Sequence, residues 1–116
     1  MLEAVDFQAV FNDAQFRASH KYLLILARSG RNKVNTNARL GLVVAKKHIR
    51  LAVERNRIKR LIRESFRLQQ QHLKDIDAVV IARRGLDQQS NREIFEAVNE
   101  QWLIIRKKVE CAARLY

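Results

Sequence analysis

Proline is missing from the sequence, and glycine occurs only three times. A chain this poor in both has no flexible linker to divide it, so its 116 residues read as one domain. Cysteine occurs once, at Cys111, which excludes an internal disulfide and suits a reducing compartment. No run approaches the roughly 20 apolar residues of a membrane-spanning helix. Acidic Glu3 and Asp6 stand where a secretory signal would carry positive charge, so a cytoplasmic protein is expected. Acidic residues are scarce overall, with 12 Asp and Glu in the chain. Asp75 and Asp77 are close in sequence, but no cluster of carboxylates at catalytic spacing is visible. His20, His48 and His72 have no partner at metal-ligand spacing. A P-loop, a dinucleotide fingerprint and a nucleophile elbow are likewise missing. The chain gives no sign of an active site of its own.

What the sequence has in excess is positive charge. Lys and Arg number 23, for a net charge of +11. Such an excess opposes compaction by self-repulsion unless a polyanion absorbs it. The charge is concentrated. Lys46, Lys47, Arg50, Arg55, Arg57, Lys59, Arg60, Arg63 and Arg67 fall in one window whose acids are Glu54 and Glu64. An ordinary solvated face mixes signs, and this window does not.

Hydrophobic patterning outlines the elements. Phe7, Val10, Phe11 and Ala14 recur at helical spacing within residues 3 to 14. Apolar runs at Tyr22 to Ala27, Leu40 to Ala45 and Ile76 to Ala82 read as strands. The polar stretch Ser29 to Asn37 reads as a loop, and Gly85 as a turn. A helix is expected from about Ala52 to Gln70. Another opens near Ser90, with Glu93 completing a capping box and Phe95, Val98, Trp102, Ile105 and Val109 forming its core stripe. The order helix, strand, strand, helix, strand, helix predicts an α+β fold, a single-domain α/β sandwich with one sheet packed against helices.

On a wheel of about 100° per residue, Arg55, Lys59, Arg63, Arg67 and Arg60 fall within roughly 140°, with Asn56 among them. Arg57 lies on the border. Ile58, Leu61, Ile62, Phe66 and Leu68 are assigned to the side that packs on the domain. Guanidinium donates in a planar fork that matches phosphate oxygens, so the outward face suits nucleic acid. A DNA-reading helix-turn-helix would need a second helix close by, whereas a strand follows here. DNA and membrane partners are therefore not expected.

The run Gly41 to Lys47, followed by Ala52 to Arg67 with Arg55-Asn56-Arg57, Lys59-Arg60 and Arg63, resembles the bacterial ribonuclease P protein family. Asp6 to Phe11, Asp77 to Arg83 and the last helix are similar to the family as well. Ala45 stands where many members carry Ser, and no proline precedes the first helix. The resemblance implies a ribosomal-protein-S5-domain-2-like sandwich with a left-handed βαβ crossover. It implies a non-catalytic subunit of the RNA-containing endonuclease that removes the 5′ leader of precursor tRNA. The catalytic RNA would perform the hydrolysis with Mg²⁺ bound by the RNA and the RNA–substrate complex, and the protein itself would need no cofactor. Lys46, Lys47, Arg50, Arg55, Asn56, Arg57, Lys59, Arg60, Arg63 and Arg67 would contact that RNA. Phe7, Phe11, Phe16 and Tyr22 would line a cleft for the single-stranded leader, since unpaired bases stack on aromatic rings beside cations. The alternative is a ribosomal or assembly protein that binds rRNA through the same helix. Three strands are visible where the family has four; the fourth is expected near residues 29 to 38 or 46 to 51.

Overall fold

The computed structural model describes residues 4–29, 38–73 and 76–114. Helix α1 (Ala4–Asn12) leads into strands β1 (Phe16–Ser19) and β2 (Leu23–Ser29). Strand β3 (Arg39–Val43), helix α2 (Ala52–Gln69), strand β4 (Ile76–Ala82) and helix α3 (Asn91–Arg114) follow. Short 3₁₀ turns occupy Gln70–His72 and Leu86–Gln88. Apart from Ser29, the expected polar loop lies outside the described residues, as does Asp75.

The four strands form one sheet in the order β1-β2-β4-β3. β1 and β2 are antiparallel, as are β2 and β4; β3 and β4 are parallel and joined through α2. The α+β sandwich is as expected. Of the two places expected for the fourth strand, residues 30 to 37 lie outside the described residues, and the fourth strand of the described sheet lies elsewhere. It is β1, a four-residue strand whose hairpin with β2 lacks the usual Asn-Gly or Gly turn. A histidine closes the turn instead: the Tyr22 amide donates to His20 Nδ1 (3.1 Å), and the His20 amide donates to the Leu23 carbonyl (2.8 Å). Residues 46 to 48 form a turn, not a strand.

Alternation along the strands assigns the two faces. Ala18, Leu23, Ile25, Ala27, Leu40, Ala78, Val80 and Ala82 join the core built with α2 and α3. Leu26, Val43, Val79 and Ile81 face the other way and pack with Phe7 and Val10 of α1. β4 is thus covered on both sides, which explains its apolar run from Ala78 to Ala82. On α3 the buried stripe is Ile94, Val98, Trp102 and Ile105; Phe95 is only half-buried, so the stripe runs one residue earlier at its start than the sequence pattern indicates. Trp102 meets Phe66 of α2 with ring centroids 5.5 Å apart. The capping box forms as expected, with Ser90 N–H donating to Glu93 Oε1 (3.0 Å) and Glu93 N–H to Ser90 Oγ (3.1 Å). The Ser90 amide and then its hydroxyl stabilise the ionised form and lower the Glu93 pKa. This contribution is present above the ordinary carboxylate range and is lost as pH falls through the lowered value.

Between β4 and α3 the chain turns at Gly85 with φ +98°. The Tyr22 ring lies close enough that an added Cβ would sit 2.9 Å from Tyr22 Cε1. A side chain here meets both backbone strain and a clash. Gly85→Ala should therefore destabilise the domain by about 1–3 kcal/mol, seen as a drop of several degrees in Tm by circular dichroism. An unchanged Tm would mean that the Tyr22 ring moves aside and the turn relaxes without cost.

Candidate nucleic-acid interface

The basic window begins where β3 ends. The amides of His48 and Ile49 both donate to the Ala45 carbonyl (3.1 and 3.0 Å), and Ile49 is fully buried. This anchored turn leaves Lys46, Lys47 and Arg50 exposed just ahead of α2. α2 then buries Ile58, Ile62, Ser65 and Phe66 and exposes Asn56, Arg60, Arg63 and Arg67. One position assigned to the packing side differs, and Phe66, buried as expected, shifts the stripe. Leu68 is 48% exposed. Phe66 falls about 20° from Arg55 on the wheel, so the buried stripe reaches round to the Arg55 side. Arg55 and Lys59 consequently sit at the edge of the outward face, both half-buried.

The tripeptide Arg55-Asn56-Arg57 divides its work. Arg55 Nη1 donates to the carbonyls of Ile49 (3.0 Å) and Arg50 (2.8 Å), pinning the basic turn onto the helix. Arg57 is committed to the protein through all three nitrogens. It pairs with Glu54 (2.7 Å) and donates to Asn91 Oδ1 (2.6 Å), the Asp87 carbonyl (3.1 Å) and the Gln89 carbonyl (3.3 Å). Its side chain is only 22% exposed. Arg57 therefore ties α2 to the segment that opens α3; the structure does not place it with the outward cations. Arg67 pairs with Glu64 (2.5 Å), and the Arg67 hydrogen bond lowers the Glu64 pKa. By contrast, the side chains of Lys46, Lys47, Arg50, Lys59, Arg60 and Arg63 make no hydrogen bond or ion pair among the described residues. These six side chains are the cations of the window left without an internal partner among the described residues.

The opposite face of the sheet carries α1. Phe7 packs on the small apolar cluster around Val10 and Val79, while Phe11 is 46% exposed. Arg28 reaches Asp13 beyond the end of α1 (3.4 Å), and Ser29 donates twice to Gln15 Oε1 (2.9 Å each). α1 lies over β4 and β2. Arg17 of β1 pairs in register with Leu26, shares its face and is exposed. Phe7, Phe11 and Arg17 thus share one side of the sheet. Phe16 and Tyr22 do not join them: both pack into the core under α2 and α3. Tyr22 is further occupied by Lys21 over its ring (5.3 Å) and by Gly85. The four expected aromatic residues therefore line no common cleft. Arg17 escaped notice because β1 itself did. Among the described residues, no three His, Cys, Asp or Glu side chains gather into a metal site, and no helix is long and apolar enough to cross a membrane.

The family model for ribonuclease P matches residues 1–106. The chain belongs to the ribonuclease P family. A ribonuclease P protein component from Saccharophagus degradans is 48% identical over 110 residues, which is 95% of this chain and 79% of that protein. The Staphylococcus aureus RNase P protein structure aligns with a TM-score of 0.79 at 29% identity, covering 90% of this chain and 92% of that one. The RNase P protein from Thermotoga maritima aligns with a TM-score of 0.71 at 31% identity, covering 91% and 94%. The function is that of a ribonuclease P protein subunit, and the ribosomal or assembly alternative is not favoured. Within that family frame, the two arginines of the tripeptide should behave differently from those that follow. Arg57→Ala removes several charge-assisted bonds and should cost about 2–3 kcal/mol of stability. Arg60→Ala and Arg63→Ala should stay within about 0.5 kcal/mol. Urea unfolding followed by Trp102 fluorescence checks this; equal stability of all three variants would show Arg57 to be another surface cation.

Proposed function

We propose that the chain docks on the catalytic RNA of ribonuclease P through the outward face of α2 and the turn before it. The six unpaired cations carry this reading. Fixed guanidinium and ammonium groups with no internal partner neutralise phosphates and release condensed counterions. In this reading the RNA and the RNA–substrate complex hold Mg²⁺ and perform the cleavage. The protein adds affinity and orientation. Cleavage of a 5′-extended precursor tRNA at low Mg²⁺ is the direct test, with protein alone, RNA alone and both. Activity should require the RNA and rise when protein is added; activity from protein alone would overturn the assignment of roles. If the six cations each meet one phosphate, log K for the RNA should fall against log salt with a slope of roughly −4 to −5.

The substrate side of the proposal rests on α1. A leader nucleotide stacked on the exposed Phe11 ring, with its phosphate near Arg17, has the ring-plus-cation setting that holds unpaired RNA. Stacking is worth about 1–3 kcal/mol per base. Phe11→Ala in the holoenzyme should therefore weaken precursor tRNA binding by about 5- to 100-fold while leaving mature tRNA unaffected. Equal loss for both would assign Phe11 to α1 packing alone.

A further inference from the structure

Beyond the carboxyl ends of the parallel strands β3 and β4, the segments leading into α2 and α3 face each other. Between them lies an open recess of about 310 Å³, lined by Lys47, His48, Arg50, Arg84, Gly85, Asp87 and Gln88. Parallel strands commonly deliver ligand sites at this end. Lys47 and Arg50 come from the turn after β3, and Arg84 from the turn after β4. None of the three side chains has a hydrogen-bond or ion-pair partner among the described residues. One carboxylate, Asp87, lines the same recess, so it carries an excess of positive charge. His48 Nδ1 is buried with no hydrogen-bond partner, an orphan polar atom at the wall. The recess is also held in shape. Arg55 fixes the carbonyls of Ile49 and Arg50, and Arg57 fixes the carbonyl of Asp87. Gly85 adds no side chain to the wall.

We propose that Lys47, His48, Arg50 and Arg84 bind one backbone phosphate of the RNA in this recess. The proposal rests on the RNA-docking reading above and extends its footprint from α2 onto the β4–α3 turn. Two arginine forks and an ammonium group converge from two separate loops, which suits a tetrahedral anion better than a flat cationic surface does. Lys46, Lys47 and Arg50 run directly into α2, so a strand following the α2 face reaches the recess without a break. Asp87 opposes the anion and limits its affinity. That tunes the recess towards a phosphodiester, with one negative charge, over a doubly charged free phosphate.

The test has two arms. In the first, inorganic phosphate is titrated into the protein, with chloride at matched ionic strength as control. Backbone amides of Gly85 and Gln88 and the His48 ring are followed by NMR. Saturable shifts confined to these groups are expected. They should weaken by about tenfold in Arg84→Ala, which loses a charge-assisted fork, and strengthen in Asp87→Asn. Shifts no different from those with chloride, or spread evenly over all basic residues, would overturn the recess. In the second arm, Arg84→Ala and Arg60→Ala are compared for binding to ribonuclease P RNA across salt, with circular dichroism confirming the fold. Each should reduce the salt slope by about 1. If only Arg60→Ala does so, α2 docking stands and the recess is not part of it. If neither does, the docking reading itself fails and takes the recess with it.

Discussion

Strand β4 is where the structure's demands meet. It pairs with β2 on one side and β3 on the other, so all its backbone groups that point along the sheet are satisfied within it. Both its faces are apolar, so neither can be left to water. One face requires α2 and α3, and the other requires α1. The small cluster and the large core follow from that single strand having no solvent side. A polar residue on β4 survives only under strict conditions. Asp77 is almost fully buried, yet Arg39 meets both its carboxylate oxygens at 2.8 and 2.7 Å from the adjacent strand. A buried carboxylate with a bidentate guanidinium partner is tolerated where an unpaired one would not be.

A net charge of +11 in 116 residues is the opposing constraint. The fold meets it by giving arginines two kinds of place. Arg39, Arg55, Arg57 and Arg83 donate to carboxylates or carbonyls across elements. Arg83 Nη1, for example, binds the His20 carbonyl at 2.6 Å and so fastens the β1–β2 hairpin to the end of β4. These groups hold the scaffold together. Arg50, Arg60, Arg63 and Arg84 have no such partner and lie on the outside. Their mutual repulsion is left for a ligand to relieve. Neighbours in sequence can belong to different kinds: Arg57 and Arg60 are three residues apart on one helix, and only Arg60 faces outward.

The long elements were legible because their periodicity is strong. α2 and α3 carry apolar residues at helical spacing, and β4 carries a β-branched run bounded by polar residues. The Ser90–Glu93 box could be read from spacing alone. β1 could not, because Phe16-Arg17-Ala18-Ser19 offers only two alternations and its turn is closed by a histidine ring that no turn rule anticipates. Losing β1 also lost Arg17, and it left Phe16 and Tyr22 without a face. Pairing opposite Ala27 turns Phe16 to the core face, and Tyr22, in the turn outside either strand, packs against that same core. The basic window was legible as charge, but its division was not. Whether an arginine faces outward depends on which carbonyls lie beside it, and the Asp87 and Gln89 carbonyls that bind Arg57 come from 30 and 32 residues further along.

That division follows from the crossover. β3 and β4 are parallel neighbours, so the chain must return from the end of β3 to the start of β4, and α2 makes that return across the face of the sheet. The same geometry sets the loop before α2 beside the loop before α3, since both leave the same end of the sheet. Arg57, near the start of α2, is then the residue within reach of the Asp87–Asn91 segment. Its bonds lock the two loops together, and the cations on either side of the lock are held at fixed separations. A flexible basic tail would offer the same charge but would have to give up conformational freedom on binding. Here that freedom is already removed by folding, so the parallel pairing of the two strands also preorganises a cationic surface.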